Sequence, residues 1–192
     1  VESKNPVISC LGSQYAGWNL SHEKFYALAS GPGRAIARRE ELFKELKYTD
    51  QSKFVYLVME VDKIPPKEII EKISNDCKTV TKNIILILTP TQSISGIIQI
   101  VSRVSEVGLH KLHTLKFPLK NVDKVYGSAP IPPLASDFIT SMGRTNDAIL
   151  YGGNVELKVR GTDEEIKNLA KNLPSTSSKD YGKPFAEIFK NY

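Results

Sequence analysis

The sequence predicts an α/β protein in which mixed sheets and helices form two α/β subdomains packed around a central cleft. Strand and helix patterns alternate along most of the chain, which is typical of this fold class. Residues 83–88 are nearly all apolar, as in a strand buried on both faces, and a helical pattern follows them directly. A chain of 192 residues is long enough to bury one sizeable core or two small ones that share a cleft.

The elements follow from side-chain periodicity and from residues that start or stop regular structure. β-Branched and aromatic runs predict strands, whereas helix formers with apolar residues at helical spacing predict helices. Thr162 and Glu165 form a capping box that starts one helix. In chain order we predict strands at 7–11, 25–29, 54–61 and 83–88, with helices at 35–46, 67–75 and 91–113 among and after them. Beyond these we predict a helix at 135–142, a loop at 143–147, a hairpin of 148–151 and 155–159, a helix from Thr162 to 173, a loop at 174–182 and a helix at 183–190.

We place the boundary between the subdomains in the irregular, proline-rich stretch near residues 130–133. The first subdomain, residues 1–128, carries the helix 91–113, and the second, residues 129–192, is incomplete. We expect the two to share a pocket. The chain begins at Val1 rather than Met and already reads as buried structure at residue 7, so we expect an excised segment.

Composition excludes several classes of function. The net charge is +5, but the basic residues are scattered among acidic ones, which argues against a nucleic-acid-binding stripe. No apolar run approaches the ~20 residues that span a membrane. Cys10 and Cys77 lack the spacing of a metal site, so we predict free thiols in a reducing compartment and no metal.

The predicted helix 91–113 carries a polar stripe. Thr91 is the expected N-cap, and Arg103 and Glu106, three residues apart, must lie side by side. One interpretation is a solvated face with an ion pair that contributes less than ~1 kcal/mol. His110 and His113 continue the stripe and are assigned to structure, because they lack the carboxylate motif of a zinc site.

Two loops are rich in small residues. Residues 12–17 would let the backbone approach a ligand, and residues 30–34, Ser-Gly-Pro-Gly-Arg, precede a helix whose N-terminus could bind an anion. Such glycines also occur in ordinary tight turns, and neither nucleotide-binding fingerprint is matched.

The residues themselves resemble a known family, methenyltetrahydromethanopterin cyclohydrolase. The resemblance covers essentially the whole chain in the right order, and it looks nearer to the versions of methylotrophic bacteria than to those of methanogenic archaea. The motifs that carry it are CLGSQYAGW at 10–18, SGPGRA at 30–35, TPT at 89–91, QIVSRVSE at 99–106, MGRTND at 142–147 and DYGKPFAEIFK at 180–190.

The resemblance implies a cytoplasmic enzyme of one-carbon metabolism, in methanogenesis or in methylotrophic formaldehyde oxidation. Such an enzyme reversibly hydrolyses N5,N10-methenyltetrahydromethanopterin to the N5-formyl form. It implies a homotrimer with no metal or redox cofactor, tetrahydromethanopterin being the substrate carrier. It also implies that this segment lacks N- and C-terminal portions of the family.

By the same resemblance, Arg103 and Glu106 match the catalytic residues one for one. Hydrolysis needs a water activated at the methenyl carbon and a proton for the departing N10, and one carboxylate can serve both steps. We therefore expect Glu106 to act as general base and acid, and Arg103 to keep it ionised.

The remaining candidates are interpreted as binding the carrier. For each, the alternative is a turn, a cap, a surface cation or a core aromatic residue. We assign the pterin end to Ser13, Gln14 and Trp18, the anionic tail to Gly31, Gly33, Arg34, Arg144 and Lys183, and polar pocket groups to Thr89, Thr91, Thr145, Asn146 and Asp147.

Two alternatives stay open at this point. A truncated chain could be a non-catalytic module that binds the pterin carrier or assists assembly. Tetrahydrofolate could replace tetrahydromethanopterin as the carrier.

Overall fold

The structure is a computed structural model that describes residues 1–191. The strands are β1 (Glu2–Ser3), β2 (Trp18–His22), β3 (Phe25–Ser30), β4 (Val55–Met59), β5 (Ile84–Leu88), β6 (Val122–Ser128) and β7 (Asn154–Val159). The α-helices are α1 (Gly33–Ala37), α2 (Glu41–Glu45), α3 (Lys67–Asp76), α4 (Ile94–Val101), α5 (Val104–Thr114), α6 (Phe138–Gly152), α7 (Asp163–Asn172) and α8 (Phe185–Lys190). A π-helix spans Val7–Gln14, and short 3-10 turns lie at Thr81–Asn83, Leu119–Asn121 and Ser175–Ser177.

The chain divides into two compact units, residues 12–90 and residues 1–11 with 91–192. Each unit has its own sheet and helices, which confirms the predicted α/β class. The division differs from the predicted boundary near residue 128. The reason is that β6 and β7, which lie on either side of that point and of α6 in the chain, are antiparallel neighbours in one sheet, with Gly127 opposite Val155.

The unit of residues 12–90 contains a four-stranded sheet in the order β2-β3-β4-β5. The pairs β2–β3 and β3–β4 are antiparallel, and β4–β5 is parallel, with Val55 opposite Ile84. Leu20, Ala29 and Leu57 form the core beneath the sheet with Ile69 and Ile73 of α3. β3, β4, β5 and α3 confirm the predicted elements.

Two features of this unit differ from the prediction. β2 was not predicted, because its alternation of buried Trp18 and Leu20 with polar residues follows a run of small residues that favours a loop. The predicted helix 35–46 is two short helices. Arg38 ends the first of them in the left-handed region, at φ 51°.

The unit of residues 1–11 and 91–192 contains an antiparallel sheet in the order β1-β6-β7. α5 packs on this sheet, and Leu109, Leu112 and Val125 are fully buried there. β7, α7 with its capping box and α8 confirm the prediction, whereas β6 was not predicted.

Three predicted elements of this unit are corrected. The strand at 7–11 is a π-helix, because a short apolar run does not distinguish a buried strand from a buried helix. The loop 143–147 and strand 148–151 belong to α6, which is continuous to Gly152. The helix 91–113 is interrupted between α4 and α5, and its N-cap is Ser93 rather than Thr91, since the Ser93 hydroxyl accepts from Gly96 N–H at 2.9 Å.

No helix formed by the described residues 1–191 combines the length and the apolar character that crossing a membrane requires.

Candidate functional site

A break between α4 and α5 places the two predicted catalytic residues. The Ser102 hydroxyl donates to the Ile98 carbonyl at 2.6 Å, and Arg103, with φ −84° and ψ 5°, leaves the helical conformation. The chain resumes at Val104, so Arg103 occupies the N-cap position and Glu106 lies in the first turn of α5. A carboxylate is favoured there, because the helix N-terminus carries partial positive charge.

The pair is formed as the spacing predicts. Arg103 donates from Nε at 3.2 Å and from Nη2 at 3.1 Å to the same oxygen, Oε2 of Glu106. The Glu106 side chain is 2% exposed and that of Arg103 21%. The alternative of a solvated surface pair is therefore wrong, since the carboxylate is buried. A neighbouring guanidinium favours the ionised form of a carboxylate, and an ionised carboxylate can accept a proton.

The buried Cys10 thiol interacts electrostatically with this carboxylate, which the sequence did not predict. Burial raises the pKa of the Cys10 thiol above 9.0, a hydrogen bond with Ser9 opposes the rise, and the negative charge of Glu106 adds to it. The π-helix carries Cys10 into the interior, where it is 2% exposed. A neutral thiol thus forms part of the surroundings of Glu106.

The four candidates of the GRTND motif are consecutive residues, 144–147, within about one turn of α6 and not in a loop. Arg144 donates to the Leu134 carbonyl at 2.6 Å, and the fully buried Thr145 donates to the Met142 carbonyl at 3.0 Å. The Asn146 amide donates to the same Met142 carbonyl at 2.9 Å. These contacts fit the alternative in which the polar groups support the fold.

Asp147 and Lys183 hold the segment around α8. Asp147 Oδ1 accepts from the Phe185 N–H at 2.8 Å, at the start of that helix. Lys183 donates to Asp180 at 2.8 Å, and this hydrogen bond lowers the pKa of the Asp180 carboxyl below 3.8. Thr91 is buried at the start of the same unit.

In the unit of residues 12–90, the glycine loop is shaped by close packing. Gly31 has φ +111°, and a Cβ there would lie 2.7 Å from the Tyr56 carbonyl oxygen. A Cβ on Gly33 would lie 2.7 Å from Val55 Cγ1. The Gly31 N–H donates to the Ser13 carbonyl at 2.6 Å, which joins the loop at 30–34 to the end of the π-helix. The loop predicted at 12–17 is therefore corrected, since residues 12–14 belong to that π-helix. A tight, close-packed turn accounts for both glycines.

Arg34 is a buried structural cation in this structure. Its side chain is fully buried, and its guanidinium forms a paired contact with the Glu40 carboxylate, with Nε at 2.8 Å from Oε1. Nη1 also donates to the Gly12 carbonyl at 3.2 Å. Because these donors point at protein groups, the geometry does not support the predicted contact with an anionic tail.

The other candidates of this unit are mostly buried. Trp18 is 4% exposed and belongs to the hydrophobic core, so its ring does not present a stacking face to solvent. Thr89 is buried, and its hydroxyl donates to the Met59 carbonyl at 3.3 Å. Gln14 ends the π-helix and is partly buried.

A groove of about 580 Å³ lies elsewhere in the unit of residues 1–11 and 91–192. It runs between α5, the end of α6 and residues 173–181, with Val107, Ile149 and Tyr181 among its walls. No predicted site residue lines it, although His110 does. Within residues 1–191 no group of three His, Cys, Asp or Glu side chains is arranged to hold a metal ion.

Comparison with known proteins accounts for these motifs. The family model described as Cyclohydrolase (MCH) matches residues 1–192. The chain belongs to this cyclohydrolase family. The family resemblance found in the sequence is therefore confirmed.

Several curated relatives of this cyclohydrolase family member are named methenyltetrahydromethanopterin cyclohydrolase. The protein of Methylobacillus flagellatus is 60% identical over 190 residues, which cover 99% of this chain and 58% of the relative. That of Methylosinus trichosporium is 52% identical over 192 residues, covering 100% of this chain and 74% of the relative. That of Methylophilus methylotrophus is 57% identical over 172 residues, which cover 90% of this chain and 98% of the relative. The chain thus spans 58% of the length of the Methylobacillus relative.

Proposed function

We propose that this chain carries the catalytic pair of a methenyltetrahydromethanopterin cyclohydrolase, with Glu106 as the proton-transfer residue. The observation that carries the proposal is the buried Glu106 carboxylate, bound through one oxygen by Arg103 at the start of α5. The family and the names of the relatives support the reaction type.

The proposed reaction uses the carboxylate twice. The methenyl carbon is flanked by two nitrogens and is a resonance-stabilised cation. Glu106 accepts a proton from water as the water oxygen bonds to that carbon, which gives a neutral hydroxyl adduct. The bond to N10 then breaks, N10 takes the proton back from Glu106, and the hydroxyl proton leaves as the formyl group forms on N5.

Overall, one water is consumed and one proton is released, and the same steps in reverse close the ring. Arg103 supports both directions, because a cation beside the carboxylate favours its ionised form and fixes its orientation. Burial of Glu106 strengthens these interactions relative to water.

The wider setting is part of the same proposal. We expect tetrahydromethanopterin to be the carrier, in cytoplasmic one-carbon metabolism of the methylotrophic kind, with a homotrimer as the active form. Metal and redox cofactors are not expected to take part.

The test is the loss of methenyl absorbance in the full-length protein. We expect Glu106→Gln to lower kcat by about 10²–10⁴-fold, the usual contribution of positioned proton transfer. Glu164→Gln serves as the matched control, because Glu164 is an exposed first-turn glutamate of α7, and it should keep the parent rate. The kcat of Arg103→Lys should lie between the values for these two variants, since lysine keeps the positive charge but lacks the planar set of N–H donors of arginine.

The outcomes separate the alternatives. A Glu106→Gln protein with the parent rate would contradict the assignment of the base. Carrier binding by the parent protein with no absorbance change above the buffer rate would favour the non-catalytic binding module. Faster turnover of methenyltetrahydrofolate in a parallel assay would replace the proposed carrier.

A further inference from the structure

Gly127 of β6 lies directly beneath the first turn of α5. A Cβ at Gly127 would lie 2.3 Å from Ser105 Oγ, 2.9 Å from Val104 Cγ1 and 3.2 Å from the Ser105 backbone nitrogen. Ordinary van der Waals contact begins near 3.4 Å, so the helix rests on a bare α-carbon. The turn in contact with Gly127 is the one that carries Glu106.

The strand has little freedom to move away from the helix. β6 is the central strand of its sheet, and the Gly127 N–H donates to the Val1 carbonyl at 2.9 Å on one side. On the other side Gly127 is in register with Val155 of β7. A side chain added to Gly127 would therefore displace α5 more readily than β6.

The helix contributes small residues to the same contact. Ser105 is fully buried, and its hydroxyl has no hydrogen-bond partner among residues 1–191, so its small size rather than a hydrogen bond suits it to this position. One turn later, a Cβ on Gly108 would lie 3.0 Å from Val155 Cγ1. Gly127 in the sheet and Gly108 in the helix thus both allow α5 to lie close to the sheet.

The catalytic pair flanks this contact in the chain. Arg103 precedes and Glu106 follows the two residues, Val104 and Ser105, that touch Gly127. A shift of this turn moves the Glu106 carboxylate together with its backbone. Misplacement of a catalytic group by ~1 Å is enough to lower a rate ~10²-fold.

We propose that Gly127 is a positioning residue that sets the height of Glu106 above the sheet, because it lets the Val104–Ser105 turn approach β6 closely. The inference rests on the proposed function, because it takes Glu106 to be the proton-transfer residue. The inference adds that the absence of a side chain at position 127 of β6 is required for the rate of the reaction and not for binding of the carrier.

The test uses the full-length protein and the methenyl absorbance assay with methenyltetrahydromethanopterin. We expect Gly127→Ala to lower kcat roughly 10–100-fold with little change in KM. Ser105→Ala removes the oxygen 2.3 Å from the new methyl group, so the double variant should recover part of the lost kcat. Ser105→Ala alone should keep the parent kcat.

Gly161→Ala is the matched control. Gly161 is exposed, and its nearest contact to an added Cβ is the end of the Glu165 side chain at 3.2 Å, so the variant should keep the parent kcat. Folding of every variant is checked by far-UV circular dichroism and by the urea unfolding midpoint, and kcat is compared under conditions where each is folded.

A folded Gly127→Ala protein with the parent kcat would overturn the proposal. So would an equal fold-loss when Gly127→Ala is added to Glu106→Gln, because a positioning effect must disappear with the group it positions. If Gly127→Ala does not fold, Ser105→Thr decides, since it adds a methyl group from the helix side. A Ser105→Thr protein that loses kcat at constant KM supports the proposal, whereas one that keeps the parent kcat overturns it.

If neither variant folds while Gly161→Ala does, the contact serves the fold alone and the proposal is overturned. Failure of the proposed function is recognised separately. It appears as a Glu106→Gln protein that keeps the parent rate, whatever Gly127→Ala does.

Discussion

Replacing Glu40 by glutamine should destabilise the unit of residues 12–90 strongly. Glu40 forms a paired contact with Arg34, and the two side chains are 14% and 0% exposed. The guanidinium carbon also lies 5.3 Å from the ring centroid of Tyr15 and 5.4 Å from that of Phe43. Glu40→Gln keeps the size of the side chain but removes the counter-charge, so the buried Arg34 cation is left with neutral neighbours such as the Gly12 carbonyl and the two rings.

The expected magnitude follows from burial. Removing one partner of a buried ion pair costs ~3–5 kcal/mol, because the remaining charge has lost its water and has gained no equivalent partner. An exposed pair contributes only ~0–1 kcal/mol. Since a domain is stable by about 5–15 kcal/mol, the loss at Glu40 would be a large fraction of the whole.

The neighbouring residue supplies the control. Glu41 pairs with Lys44 at 2.8 Å, but these side chains are 80% and 66% exposed, so Glu41→Gln should cost less than ~1 kcal/mol. The assay is urea unfolding followed by the fluorescence of Trp18, the single tryptophan, which lies in the core of this unit. Glu40→Gln should lower the midpoint by more than ~1 M, given an m-value of about 1–3 kcal/mol/M.

Equal midpoints for the two variants would refute the reasoning. The same pair of measurements decides between the two interpretations of Arg34. If Arg34 binds the anionic tail of the carrier, Glu40→Gln should change KM while stability stays near that of the parent. If Arg34 is structural, stability changes and the KM of the folded fraction does not.

Two further outcomes are expected. Burial, with a smaller contribution from Asp76, raises the pKa of Cys77 from 9.0 to about 11, so the native state keeps its proton longer than the unfolded state. The free energy of unfolding, measured by urea titration at each pH, should therefore fall by about 2–3 kcal/mol between pH 9 and 11. In Cys77→Ala this fall with pH should be smaller, and an equal fall in the two proteins contradicts the assignment. Asp147→Ala should cost ~0.5–2 kcal/mol and speed amide exchange at 185–190, whereas Asn146→Ala should not; equal exchange in the two variants contradicts the capping role.

Helix periodicity predicted α4 and α5 but not the break between them. Ser102 and Arg103 are both compatible with a helix interior, and the apolar spacing continues across them. The break depends on the Ser102 hydroxyl bonding to Ile98 and on the packing of α5 against a sheet whose strand β6 was not predicted. Pairing of distant strands leaves too weak a local signal to be read from one sequence.

At the GRTND motif the sequence predicted a break, a loop at 143–147, where the structure has a continuous helix. Gly143, Asn146 and Asp147 are typical of turns, yet they lie within α6. Gly143 is suited to a helix face that α8 approaches, since an added Cβ would lie 3.0 Å from Ala186 Cβ. Asp147 is suited to capping α8 from the same helix. Tertiary contacts between helices, which local chemistry does not encode, outweigh the turn propensity here.

The candidate site combines both kinds of information. The spacing of Arg103 and Glu106 predicted the ion pair, because residues three apart on a helix are neighbours whatever surrounds them. Their environment includes two elements that the sequence did not predict, the π-helix that carries the buried Cys10 thiol and the strand that places Gly127 under the turn. On an exposed helix the same two residues would form a weak surface pair. Burial against these elements makes Glu106 a nearly inaccessible carboxylate that contacts Arg103, and the Glu106 and Gly127 variants measure whether this carboxylate and its position control kcat.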